Sequence, residues 1–215
     1  MLEIDSVELA FWGKAILSGC YVNCKPGEIV GLLGRNGSGK SCLLKIIFGS
    51  LNADFKHLKI DGELIKQGFK TGSVAYLPQE NFLPPFTKVK DILQTITLNR
   101  DYIFDNEIIG RIINLQVRDL SGGEQRLIEC FWILNRQANY ILLDEPFSGL
   151  SPMQIEFLQE IIKYIGSIKG IILTDHIYRS LLEVSNRVVL LHNNAIYNIK
   201  EEADLIRYNY IPDYS

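Results

Sequence analysis

The chain has 215 residues, 47% of them hydrophobic and 22% charged, with a net charge of −3. That composition excludes a disordered or collagen-like chain, and the lack of a basic excess argues against a nucleic-acid module. The longest apolar runs, such as Tyr140 to Leu143 and Val188 to Leu191, fall far short of the ~20 residues of a membrane helix. The length suits one domain with a small embedded lobe. The four cysteines form no C-x-x-C pair and no histidine flanks them at ligand spacing, so free thiols in a reducing compartment are expected. The first residues show neither a basic nor an apolar leader pattern, so no signal peptide is expected.

In chain order, Leu2 to Leu9 and Ile16 to Cys24 read as strands. Lys25-Pro26-Gly27-Glu28 is a turn, and Ile29 to Leu33 is a buried strand. A glycine-rich loop follows, then a helix from Lys40 to Phe48. Asp61-Gly62 marks a hairpin, and Val74 to Leu77 is a strand stopped by Pro78. After the Pro84-Pro85 break, apolar spacing predicts helices over 88–98 and 105–115, and a third from near Ser121 to about Gln137. Strands and helices then alternate: a strand Tyr140 to Leu143, a helix Pro152 to Ile165, a strand Gly170 to Thr174, a helix Tyr178 to Val184. A closing hairpin is expected from Arg187 to Leu191 and Ala195 to Ile199 around Asn193-Asn194. The pattern predicts an α/β fold with residues 81–136 inserted as a helical lobe.

Gly34-Arg35-Asn36-Gly37-Ser38-Gly39-Lys40-Ser41 matches G-x-x-x-x-G-K-[ST]. Small glycines let backbone N–H groups turn inward around phosphate oxygens, and the helix that follows aims its N-terminal amides and dipole at the anion. Lys40 can reach the β- and γ-phosphates, and Ser41 can ligate Mg²⁺. A strand before and a helix after are the context such a loop needs. This pattern alone says only that a nucleotide binds.

Leu120-Ser121-Gly122-Gly123-Glu124-Gln125 is the second signal. Ser121 with Glu124 forms an S-x-x-E capping box, but that does not explain two glycines in a first helical turn, each costing up to about 1 kcal/mol relative to alanine. Close approach of a ligand to the backbone would explain them.

With both motifs in this order, the chain resembles the ATP-binding cassette family over nearly its whole length. The resemblance implies a P-loop NTPase (RecA-like) core over residues 1–80 and 137–215, an N-terminal antiparallel β region, and a small helical subdomain at 81–136, together one ATP-binding domain over 1–215. It implies ATP and Mg²⁺ as ligands. It also implies a head-to-tail dimer in which Ser121, Gly122 and Gly123 of one protomer bind the γ-phosphate held by the other's loop of Gly34, Arg35, Asn36, Gly37, Ser38, Gly39, Lys40 and Ser41. Ile141-Leu142-Leu143-Asp144-Glu145 looks like the Walker B strand, with Asp144 in the metal shell and Glu145 as general base. Gln79 resembles the family's metal-sensing glutamine, and His176 its switch histidine. Phe11 stands where the family stacks an aromatic on adenine, with core packing as one alternative and Trp12 as the other candidate.

Two positions depart from the family's pattern. Ser151 stands where an aspartate is common, and Ser151-Pro152-Met153-Gln154 reads instead as a capping box with proline at the first helical position. Cys42 replaces the usual threonine or serine beside the α-phosphate. It reads either as a small buried hydrophobe or as a thiol whose pKa the helix N-terminus lowers. The lobe is short for the family, and Phe82-Leu83-Pro84-Pro85-Phe86 either receives a membrane partner or packs on the lobe. The tail with Tyr208, Tyr210 and Tyr214 is too short for a regulatory domain.

The resemblance thus implies an ATP-hydrolysing subunit, peripheral on the cytoplasmic membrane face, that drives a separate integral-membrane subunit. A homodimer is favoured and no nucleic acid is expected. A soluble, non-transport ATPase of the family is the alternative, and a non-hydrolysing regulatory module a third reading. The short interval between Lys40 and Leu120 and the single cassette favour transport.

Overall fold

The structure, a computed structural model, describes residues 1–212. β1 (Leu2–Phe11) and β2 (Lys14–Cys24) form an antiparallel hairpin turned by Trp12 and Gly13, both at positive φ. Next come β3 (Ile29–Gly34), α1 (Lys40–Phe48), β4 (Phe55–Ile60), β5 (Glu63–Leu64) and β6 (Val74–Leu77). Four helices follow: α2 (Val89–Leu93), α3 (Arg100–Phe104), α4 (Glu107–Ile112) and α5 (Gly122–Leu134). The chain then runs through β7 (Tyr140–Asp144), α6 (Pro152–Gly166), β8 (Gly170–Thr174), α7 (Tyr178–Val184), β9 (Arg187–His192), β10 (Ala195–Ile199) and α8 (Glu202–Arg207).

Two sheets result. One is antiparallel, in the order β2-β1-β4-β5; the other is six-stranded, β10-β9-β3-β8-β7-β6, and parallel except for the edge strand β10. The central strands β3, β7 and β8 are buried at every residue, as a parallel sheet covered on both faces requires. The period-2 alternation sorts their side chains. Val30, Leu32, Tyr140, Leu142 and Ile172 join Leu43, Leu44, Ile46 and Ile47 of α1 and the apolar face of the antiparallel sheet. Leu33, Ile141, Leu143, Ile171 and Leu173 face the other way, into a core with α5, α6 and α7.

Two expected helices are broken up. Over 88–98 only Val89–Leu93 is helical, because the side chain of Asn135 accepts the Thr97 and Leu98 N–H groups and holds that stretch as a loop. Over 105–115 only Glu107–Ile112 is helical, begun by an Asn106 cap on the Ile108 N–H. α5 ends at Leu134 rather than Gln137, where the Lys169 ammonium donates to the carbonyls of Leu134 (3.0 Å) and Arg136 (2.6 Å). That cap comes from the α6–β8 connection, beyond the reach of local sequence reading. The closing hairpin turns at Asn193 and Asn194, both left-handed. α8 was not anticipated from the sequence; Tyr208 and Tyr210 lie just beyond it, and Tyr214 lies outside the described residues.

The strand order brings the C-terminal ends of β3, β8, β7 and β6 side by side. The loops that leave those four ends carry the glycine-rich segment, His176, Asp144 with Glu145, and Gln79. Ligands of open α/β sheets bind at that edge.

Candidate active site

The loop from β3 to α1 is built to hold an anion. Gly39 caps α1 with φ 108°, and no side chain bonds the free amides of the first turn. A Cβ at Gly39 would meet Ile16 Cγ2 at 2.9 Å, so the residue is fixed both by φ and by the close hairpin. The Lys40 ammonium donates to the carbonyls of Gly34 (2.7 Å) and Arg35 (3.2 Å), which folds it back along the loop. Burial lowers its pKa; Glu145, Asp144 and Asp175 work in the opposite direction. The Ser38 hydroxyl is buried without a partner. Among the described residues, first-turn amides with no side-chain cap, an ammonium bonded to carbonyls and a buried hydroxyl without a partner together fit a phosphate chain.

A cavity of about 670 Å³ opens over this loop, within the range of small-molecule sites. Its walls include Asn36 to Cys42, Phe11, Ile16, Gln79, Glu145 and His176. Phe11 is therefore the aromatic at the cavity, whereas Trp12 at the hairpin tip is wholly exposed and forms no part of the wall. Cys42 lines the cavity, but burial raises its pKa, opposite to the expectation from helix position.

Asp144, at the end of β7, is fully buried. Its Oδ1 accepts from the Ser41 hydroxyl and its Oδ2 from the Tyr76 hydroxyl, each at 2.9 Å. Burial raises its pKa, against the lowering effect of both hydrogen bonds. Ser41 and Asp144 are a hard-oxygen pair, which suits Mg²⁺. Among the described residues no cluster of three His, Cys, Asp or Glu can hold a metal alone. A Mg²⁺ here would take the rest of its shell from phosphate and water.

Glu145 has left-handed backbone (φ 54°), and its N–H donates to Thr174 O at 2.8 Å. The turn swings its carboxylate out of the sheet plane toward Gln79, whose amide donates to Oε2 at 2.9 Å. His176 Nδ1 lies 3.7 Å from the same oxygen and 3.5 Å from Asp175 Oδ1. Asp175 is fixed from below, accepting the Phe147 and Ile177 N–H groups. A carboxylate, an amide and an imidazole thus converge at one side of the anion loop.

Ser121, Gly122 and Gly123 are not brought to that cavity. Ser121 caps α5 in the expected box with Glu124. Ser121 and Gly122 are exposed, and a Cβ on Gly122 would meet nothing within 4 Å. Gly123 differs: a Cβ there would sit 2.4 Å from Gly149 O, so its own chain requires the glycine. Ser151 caps α6 in a second box, with proline in the first turn.

Sequence reasoning missed Arg126 and Glu129. The Arg126 guanidinium donates to the carbonyls of Pro78 (2.6 Å), Glu145 (3.1 Å) and Asp144. Glu129, wholly buried, accepts from the Phe82 and Leu83 N–H groups and lies 3.6 Å from Arg126. The pair clasps the segment 78–83 and the end of β7 to α5. The available signal was two opposite charges three apart within the apolar stretch Leu127, Ile128, Cys130. Arg126→Ala leaves Glu129 as an uncompensated buried charge. It should lower the unfolding free energy by about 3–5 kcal/mol in urea titrations; a loss below about 1 kcal/mol would deny the clasp its role.

The fold and the site together define a P-loop ATPase. A family model described as ABC transporter matches residues 17–148. The lipopolysaccharide export ATP-binding protein LptB of Escherichia coli K12 is 31% identical over 207 residues, covering 88% of this chain and 86% of that one. YtrB, an ABC transporter ATP-binding protein of Bacillus subtilis, is 29% identical, covering 95% and 73%. A solved ATP-binding subunit of an ABC transporter superposes with a TM-score of 0.78 at 22% identity, covering 100% and 95%. The dimeric cassette MJ0796 superposes at 0.76 and 19% identity, covering 94% and 100%. The chain belongs to the ABC transporter family as an ATP-binding, ATP-hydrolysing subunit.

Proposed function

We propose that two copies of this chain close head to tail around two MgATP and drive a separate integral-membrane subunit from the cytoplasmic face. The observation that carries the dimer is the exposed α5 N-terminus: Ser121 and Gly122 stand outside the cavity lined by Asn36 to Cys42, Gln79, Glu145 and His176. A second copy would supply them, and the MJ0796 cassette, similar in fold, is dimeric. No helix among the described residues is long and apolar enough to cross a membrane.

In this reading residues 81–136 act as the helical subdomain. The phosphates lie against the amides of 34–42 and the Lys40 ammonium, and Phe11 stacks on adenine. Ser41 and Asp144 hold Mg²⁺, which when bound neutralises charge on the β- and γ-phosphate oxygens. Glu145 polarises the attacking water while Gln79 and His176 hold its carboxylate in place. That division is what phosphoryl transfer needs, because its catalysis is mostly positioning and electrostatics.

The membrane partner's seat is an aromatic groove of about 990 Å³ walled by Phe48, Phe69, Tyr76, Phe82 and Trp132. Phe82 stacks on Trp132 in the groove, Leu83 joins the core, and Phe86 lies exposed beneath the Arg118 guanidinium at 5.0 Å.

The test is an affinity pull-down of tagged Glu145→Gln with MgATP from detergent-solubilised native membranes. A stoichiometric polytopic membrane protein is expected. Soluble partners alone, in detergents that preserve a control transporter, would overturn the transport reading.

A further inference from the structure

We infer that Tyr76 is a positioning residue that ties the aromatic groove to the carboxylate of Asp144. β6 runs parallel to β7 with Tyr76 opposite Leu142, two residues before Asp144. From there the phenol hydroxyl reaches Asp144 Oδ2 at 2.9 Å, while Ser41 takes Oδ1. With a donor on each oxygen the carboxylate plane is fixed, and Oδ1 is held toward Ser41.

The other end of the same side chain belongs to the groove. Its ring lies 5.4 Å from Phe48, which in turn lies 5.7 Å from Phe69, and all three line the groove with Trp132. Phe48 is the last residue of α1, the helix whose second residue is Ser41. Both donors to Asp144 therefore lead back to α1, Ser41 at its start and Tyr76 through the ring stacked at its end. If the ring served packing alone, phenylalanine would fill the same wall without burying a hydroxyl. A segment seated in the groove would press on the ring whose hydroxyl orients the Asp144 carboxylate. This last step rests on the docking reading above; the orientation of Asp144 does not.

Tyr76→Phe keeps the ring and removes the donor. Mn²⁺ binding to the ADP-loaded chain, read by electron paramagnetic resonance, should weaken about tenfold, as for other partners of a metal ligand. ADP binding in EDTA should stay within about twofold, since no metal is then involved. Phe48→Leu keeps the hydroxyl but loosens its support and should lose about threefold in Mn²⁺ affinity. Unchanged Mn²⁺ affinity in Tyr76→Phe, or an equal loss in EDTA, overturns the positioning role. For the groove, Trp12→Phe leaves Trp132 as the only tryptophan. Adding Mg²⁺ to the ADP-loaded Trp12→Phe chain should shift Trp132 emission, and the added Tyr76→Phe change should abolish the shift at saturating Mg²⁺. No shift in the first chain, or the same shift in both, overturns the tie to the groove. Neither arm uses a membrane partner, so a pull-down that returns only soluble proteins would overturn docking and leave both arms standing.

Discussion

Glu145→Gln should lower MgATP hydrolysis by about three orders of magnitude, the scale of a lost general base. The substitution isolates basicity because little else changes. The backbone at 145 is left-handed and anchored to Thr174 O, and glutamine meets the same φ cost as glutamate. Its amide oxygen can still accept from Gln79, which now bonds Oε2. The Lys40 ammonium, Ser41 and Asp144 are untouched, so ATP should bind with near-native affinity. Bound ATP that is not hydrolysed should hold the dimer closed, and light scattering should then give twice the 24.5 kDa of the chain. A hydrolysis rate within a few-fold of the parent would strip Glu145 of the general-base role. Loss of hydrolysis without a MgATP-dependent dimer would leave the base in place and oppose the head-to-tail reading.

Asp144→Asn should raise the melting temperature of the nucleotide-free chain at pH 7.5 while abolishing metal-dependent hydrolysis. The carboxylate is fully buried, and burial holds its pKa above the ordinary value despite two donated hydrogen bonds. Between the ordinary and the raised value the folded chain binds the proton more tightly than the unfolded chain, so stability from this group falls as pH rises through that window. Above the window the ionised carboxylate imposes its full penalty. Asparagine removes the charge, accepts from one hydroxyl and donates to the other, since serine and tyrosine hydroxyls can do either. A gain of about 1–2 kcal/mol, or about 3–6 °C for a chain of this size, is expected at pH 7.5. The gain should shrink as the pH falls through that window, because the folded aspartate then takes up its proton. A lower melting temperature at pH 7.5 would mean that the hydrogen bonds outweigh desolvation.

The parts proposed to handle phosphate were legible in the sequence because their chemistry is local. An anion loop needs glycine, lysine and serine at contiguous spacing between a strand and a helix, and 34–41 could be assigned on that spacing alone. The capping boxes at Ser121 and Ser151 were legible for the same reason: each spans four residues and formed as expected. Parallel strands announced themselves as short apolar runs, since both faces are covered.

What the sequence could not decide is whatever one segment does to another far along the chain. The apolar spacing of 88–98 and 105–115 reflects burial in the core that α5 shares, yet Asn135 and the Asn106 cap cut both stretches short. Lys169 ends α5 from the α6–β8 connection. Gly123 reads as a gap left for a phosphate, and in the fold that gap is filled by the Gly149 carbonyl. Cys42 reads either as a small buried hydrophobe or as a thiol activated at a helix start, and burial raises its pKa, which opposes the second reading. Arg126, Glu129 and Tyr76 carry no motif, because their partners are backbone groups and a carboxylate brought near only when β6, β7 and α5 assemble. The sequence by itself marked 34–41 as a loop suited to a phosphate, since that run is short and its spacing is set by phosphate geometry, while the roles expected of Phe11, Gln79 and His176 came from the family resemblance. Tertiary structure alone decided how those groups are held, because burial, charge clasps and close backbone approach exist only between elements distant in sequence.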